Sequence, residues 1–359
     1  MGKNLVRACT IIAPCKINLH LSIGEKRPDG FHNLESLFAP LDFHDNLTLE
    51  LGGKDGDYSL EMTWEAQPET IPPEIPQEKN LVSKAVFLFR ERTGFNGGLL
   101  IRLDKRVPVG AGLGGGSSDA ASCLLALNAL TGNALSMEEL KDLAAVLGSD
   151  APFFLNRGTD DNVCPSDNAV CPSAAFVGGR GETVRPVKTP QGLWVLLVKP
   201  GFSSDTAGAY RLLDQTRLGD RFHLSPGKMS LSALEKPPVD DLIGALEGPP
   251  ENWPFYNDFL PVFLNSHNPQ ELTTEEHGER RKQTLELTGV KKAEQYRTIL
   301  ANLKKAGASF SGLSGAGSCC FGVFRVKEMA EKAEKRLEIS GNFVKLTFFL
   351  AQKTIPVLK

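Results

Sequence analysis

Residues 16–23 read Lys-Ile-Asn-Leu-His-Leu-Ser-Ile, apolar at every second position. A period of two predicts a strand with one face toward a core. Ile17, Leu19, Leu21 and Ile23 form that face. Lys16, Asn18, His20 and Ser22 share the other, with successive side chains about 6.6 Å apart. Arg27-Pro-Asp-Gly30 has the chemistry of a turn, and Phe31-His32 follow it. Residues 46–51 alternate again, and 99–103 form a short apolar strand. Between them, Leu81, Ala85, Val86, Leu88 and Phe89 fall at helical spacing within 80–92. Residues 117–130 predict a helix with a serine cap at its start and Gly132 past its end. Ser136 and Glu139 make a capping box for another, which stops near Gly148. Asp150 lies just beyond, ahead of Pro152-Phe-Phe154.

Residues 68–78 are rich in proline and polar side chains and predict a loop; 158–177 lack a period and predict an inserted loop. After Glu182 a second unit begins, with strands at 193–198, 318–324 and 343–350 and helices at 291–305 and 327–337. The charged stretch 267–286 reads as solvated helix or loop. Strands alternating with helices predict a layered α/β or α+β sandwich, and no internal repeat is visible.

At 359 residues the chain is long enough for two domains. Lys plus Arg number 40 against 43 Asp plus Glu, a net charge of −3, which gives no electrostatic footprint for nucleic acid and no polybasic membrane anchor. No apolar run is long enough to span a bilayer, and the apolar stretch 10–14 is too short for a secretory signal. These features lead to the expectation of a cytoplasmic protein. The seven cysteines are odd in number and lack paired C-x-x-C spacing, which favours reduced thiols over zinc or disulfides. Cys319-Cys320 fit a buried strand.

Five of the 35 glycines lie between Gly110 and Gly116, in Pro108-Val-Gly-Ala-Gly-Leu-Gly-Gly-Gly-Ser-Ser118. A strand leads into this loop and a helix leaves it. Glycines let backbone N–H groups approach an anion, and a helix N-terminus adds a positive dipole end, so the segment predicts a polyphosphate cradle. No Gly-Lys-Ser/Thr closes it, so it is not a Walker A loop. Gly110-x-Gly112-x-x-Gly115 fits the dinucleotide pattern, but the acidic strand end that fold needs about 20 residues on falls at a capped helix start. Taken singly, Lys16 is compatible with a solvent-facing lysine, Asp150 with a turn residue and His32 with a loop histidine. The second small-residue loop, 311–318, is compatible with a close helix–strand crossing.

Taken in order, five segments resemble the GHMP superfamily of small-molecule kinases. They are Pro14-x-Lys16-x-Asn18-Leu-x-Leu, Arg27-Pro-Asp-Gly-Phe-His32, the glycine loop, Leu147-Gly-Ser-Asp150-x-Pro152-Phe-Phe and Leu313-Ser-Gly-Ala-Gly-Ser318. The second and fourth are similar to the branch that acts on CDP-methylerythritol. The resemblance implies an α+β fold in two domains, 1–187 and 188–359. The first would be similar to a domain of a small-subunit ribosomal protein, and the second ferredoxin-like. It implies ATP and Mg²⁺, with Pro108, Val109, Gly110, Ala111, Gly112, Leu113, Gly114, Gly115, Gly116, Ser117 and Ser118 around the phosphates. Asn80 and Lys105 would line the adenosine pocket, and Ser117 or Ser118 would reach the metal. Lys16 and Asp150 match the catalytic pair. Asn18, Phe31, His32, Tyr210, Ser314 and Gly315 match substrate positions, with cytosine read by His32 and stacked on Phe31 and Tyr210. Phe31 stands where tyrosine is commoner, and Cys15 where a small residue is frequent. Other acceptors in the superfamily (homoserine, mevalonate, a sugar) and a catalytically silent nucleotide-binding relative are the alternatives.

Overall fold

In the computed structural model of the chain, residues 8–65, 75–156, 172–222, 237–265, 279–338, 340–350 and 356–358 are described. The first half runs β1 (Ala8–Lys26), β2 (His32–Leu51), β3 (Tyr58–Trp64), α1 (Leu81–Thr93), β4 (Leu99–Lys105), α2 (Gly115–Leu130), α3 (Met137–Leu147), β5 (Ala175–Gly179) and β6 (Thr183–Pro186). The second runs β7 (Trp194–Lys199), α4 (Thr206–Phe222), α5 (Val239–Leu246), α6 (Phe259–Asn265), α7 (Glu279–Lys305), β8 (Phe310–Leu313), β9 (Cys320–Phe324), α8 (Lys327–Glu338), β10 (Phe343–Phe348) and β11 (Val357–Leu358). This is the expected α+β class, built on two sheets. One has seven strands in the order β11-β1-β2-β4-β3, with β5 and β6 continuing from β2; the other has four, β10-β7-β9-β8.

β1 supplies apolar residues to three clusters in succession. Cys9, Ile11 and Ala13 pack with α1, α2 and α3. Cys15, Ile17 and Leu19 meet Val195, Leu197, Phe321 and Val323 from the second sheet. Leu21 and Ile23 join Leu196, Val198, Cys320 and Phe324 under α4, α6, α7 and α8. The central strands of the second sheet, β7 and β9, are therefore buried on both faces, which explains why β7 reads as a continuous apolar run. Each fully buried Leu, Ile or Phe side chain contributes about 1.5–3 kcal/mol of transfer free energy.

β2 is far longer than the expected 46–51. Phe38 faces the first cluster while Leu37, Ala39 and Leu41 face the second, so both faces of its centre are covered and the sequence there does not alternate. The loop expected at 158–177 gives way to β5 from Ala175, and residues 157–171, with Cys164 and Cys171, lie outside the described residues. Of the charged stretch 267–286, residues 279–286 belong to α7 and the rest lie outside the described residues. The five described cysteines are free and buried, and burial raises their thiols, Cys9 to about 11 and Cys319 to about 12. No helix among the described residues is long and apolar enough to cross a membrane.

Candidate active site

The glycine loop joins β4 to α2 with its carbonyls tied back into the protein. Gly110 O accepts from Ser204 N at 3.0 Å, Ala111 O from Cys319 N at 3.1 Å and Leu113 O from Lys16 N at 2.9 Å. Gly112 O accepts from Ser314 Oγ at 2.8 Å. Among the described residues, no amide from 110 to 117 donates a hydrogen bond. α2 begins at Gly115 with Gly114 as its N-cap and no side-chain cap, so the serine cap expected at Ser117 is absent. A side-chain cap would consume the first-turn amides; here they stay available to an anion.

Gly114 holds φ +70°, and a Cβ there would come within 3.1 Å of Lys16 Cε and Cγ and 3.2 Å of Phe154 Cζ. Only a residue without a side chain lets the loop lie on that lysine. Lys16 is 2% exposed, on the polar face of β1, which is buried rather than solvated. Its ammonium donates to Asn18 Oδ1 at 2.6 Å, lies 4.4 Å from the centre of the Phe38 ring and stands 3.4 Å from Asp150 Oδ2. The Asp150 side chain is 32% exposed. Phe153, edge-on to Phe38 at 5.1 Å, anchors the segment after Asp150 in the core. One aromatic thus supports the amine, and its neighbour supports the acid.

The outer edge of β1 assembles the rest. Asn18 N donates to Ser314 Oγ at 3.2 Å, Leu21 N to Tyr256 O at 2.8 Å and Ile23 N to Asp258 Oδ2 at 2.7 Å. The register shift between Asn18 and His20 moves the outward amides from even to odd positions. Asn18 Nδ2 also donates to Ser36 Oγ at 3.0 Å. Ser314 is fully buried, and Gly315 O accepts from Asn257 Nδ2 at 2.9 Å. The second small-residue loop is therefore packed on the first.

Lys105 is buried between two acids. Its ammonium bonds Asp119 Oδ2 at 2.7 Å and Asp45 Oδ2 by a shorter contact, and Asp45 Oδ1 accepts from Val107 N at 2.8 Å. Burial is the main cause that raises the Asp119 carboxyl above its ordinary value; Lys105 opposes this and Asp45 adds to it. Asn80 caps α1, accepting from Val82 N at 2.9 Å and donating to Met62 Sδ at 3.2 Å. Ser118 Oγ is buried without a partner among the described residues, whereas Ser117 is partly open and faces Gly148, two residues before Asp150.

Phe31 is 48% exposed. His32 is buried: Nδ1 lies 3.0 Å from Gly24 O, Nε2 3.2 Å from Asp214 Oδ1, and the ring stacks on Tyr210 at 5.2 Å. Tyr210 thus lies against His32 rather than across from Phe31, and both histidine nitrogens face protein acceptors. Burial and the nearby Asp150 charge push the Tyr210 hydroxyl up to about 12.

The chain is 33% identical over 331 residues to 4-diphosphocytidyl-2-C-methyl-D-erythritol kinase of Thermodesulfovibrio yellowstonii, covering 92% of this chain and 94% of that one. The models of the GHMP kinases N terminal domain and GHMP kinases C terminal match residues 80–162 and 266–342. The chain belongs to the GHMP kinase family. The kinase of the same name from Bacillus licheniformis is 30% identical, with 89% of each chain covered. A crystal structure of 4-(cytidine 5'-diphospho)-2C-methyl-D-erythritol kinase superposes with a TM-score of 0.63 at 28% identity, covering 94% of this chain and 99% of that one.

In this GHMP kinase, four groups around the site were not singled out from the sequence: Asp45, Asp119, Asp214 and Arg180. Asp119 directly follows the loop serines, and Asp214 lies one helical turn after Tyr210 on α4. That helical face was the available signal for Asp214. Nothing local marks Asp45.

Proposed function

We propose that the chain transfers the γ-phosphoryl group of ATP to the 2-hydroxyl of 4-diphosphocytidyl-2-C-methyl-D-erythritol, a step of the non-mevalonate route to isoprenoid precursors. The observation that carries this is the Lys16–Asp150 pair set against a loop whose carbonyls are tied back and whose amides donate to nothing among the described residues. Asp150 accepts the hydroxyl proton. The oxygen attacks the γ-phosphorus, and the bond to the β–γ bridging oxygen breaks, releasing ADP. Lys16 offsets the negative charge that builds on the reacting oxygens. The amides of 110–117 hold the β- and γ-phosphates, since phosphoryl transfer depends on positioning and charge neutralisation more than on covalent chemistry.

Among the described residues, no three His, Cys, Asp or Glu side chains cluster to hold a metal. Ser117, partly open, or Ser118, whose buried Oγ has no partner among the described residues, would hold a Mg²⁺, which would neutralise phosphate charge. Phe31 offers a ring face to the base, with the His32–Tyr210 pair beside it. Lys105 sits at the end of the loop's entry strand and Asn80 at the N-cap of α1. The same reading divides the chain near residue 187 into a nucleotide-binding unit and a second unit. Release of ADP on mixing the protein with ATP and CDP-methylerythritol tests the proposal. Turnover with homoserine, mevalonate or a sugar instead would overturn it.

A further inference from the structure

We propose that Arg180 binds the diphosphate of the acceptor, an inference that rests on the cytidylyl reading above. β5 pairs antiparallel with β2 in the register Glu35↔Gly178 and Leu34↔Gly179, so the turn after β5 emerges beside Phe31. Gly181 N donates to Gly178 O at 3.0 Å, and the Glu182 carboxylate accepts the Arg180 N–H, which closes the turn. Gly181 has φ +121°, and a Cβ there would sit 2.2 Å from Ser149 O, so the turn lies directly on the backbone preceding Asp150. In the other direction, Arg180 Cζ rests 3.6 Å from the centre of the Phe31 ring. One short turn therefore touches both the base platform and the segment that carries the acid.

A cytidylyl acceptor spans the same two points, with its base at one end and its reacting hydroxyl at the other. Its phosphates fall between them and need a cation. Lys16, Lys26, Arg27 and Arg217 each already face a carboxylate. Arg180 forms no ion pair among the described residues: the nearby Glu182 carboxylate is held by the Arg180 backbone N–H, and the guanidinium lies on the Phe31 ring. A guanidinium stacked on an aromatic ring keeps its N–H fork free along its edge, the geometry that suits phosphate oxygens.

Binding of CDP and of cytidine by titration calorimetry separates the phosphate contact from the base contact. Arg180→Ala should weaken CDP by roughly 10–100-fold, the size expected for charged hydrogen bonds. Cytidine should change by less than about threefold, and Arg180→Lys should recover part of the CDP affinity. The KM for the acceptor should rise with the CDP constant while the KM for ATP stays put. Equal losses for CDP and cytidine, or no loss for CDP, would overturn the proposal. If CDP responds to Arg180 but the wild-type protein does not phosphorylate CDP-methylerythritol, the cation site stands and the acceptor reading falls.

Discussion

Two lysines press on adjacent glycines of the same loop, yet their surroundings differ. Lys16 lies under Gly114 and meets one carboxylate, that of Asp150, which is 32% open to solvent. Lys105 lies under Gly115 and meets two, those of Asp45 and Asp119, both at least 96% enclosed. A carboxylate with an open oxygen can exchange a proton with an incoming hydroxyl. A carboxyl enclosed in the core cannot, and any charge it carries has a desolvation cost that only intact pairing offsets. The same residue types thus give a reactive pair on one side of the loop and a framework on the other. The Asp45 carboxylate adds to that framework by holding the amides of Arg106 and Val107, just before the loop.

Three changes break or sharpen this contrast. The largest effect is expected for Asp150→Asn, with kcat lower by roughly 10²–10⁴-fold, as for loss of a general base. Its KM for ATP and its unfolding midpoint should stay near wild type. Near-normal turnover would remove Asp150 from the chemistry.

Lys105→Met should show the opposite signature. It strands two buried acids, and breaking a buried pair costs about 3–5 kcal/mol. Urea unfolding measures this directly, and an unchanged midpoint would mean that the triad is not a framework.

The smallest effect is a pH dependence. Because burial raises the Asp119 carboxyl, the folded state holds that proton to higher pH than the unfolded chain does. Its contribution to stability is therefore complete below the ordinary carboxylate range, about 4, and declines as pH rises toward the raised folded value. Asp119→Asn should flatten the fall in unfolding free energy between about pH 5 and 7; parallel slopes for variant and wild type would contradict the assignment.

Features fixed over short stretches of chain were legible without the structure. The alternation at 16–23, the Ser136–Glu139 capping box and the glycine loop all express geometry repeated within a few residues. β2 was legible only at 46–51, because the signal of a strand is one wet face and its centre has none. The helix at 206–222 was not legible in the sequence, and with it the placing of Asp214 one turn from Tyr210.

By itself the sequence determined which chemistry was available: glycines to free amides, an amine, an acid and an exposed aromatic, in an order that resembles one kinase family. Tertiary structure decided which of these meet. Lys16 and Asp150 are 134 positions apart, Asn18 and Ser314 are 296 apart, and Arg180 reaches Phe31 only through the β2–β5 register. Local sequence sets local torsions and hydrogen bonds, but partners this distant are chosen by packing, and with them which carboxylate is left open to react.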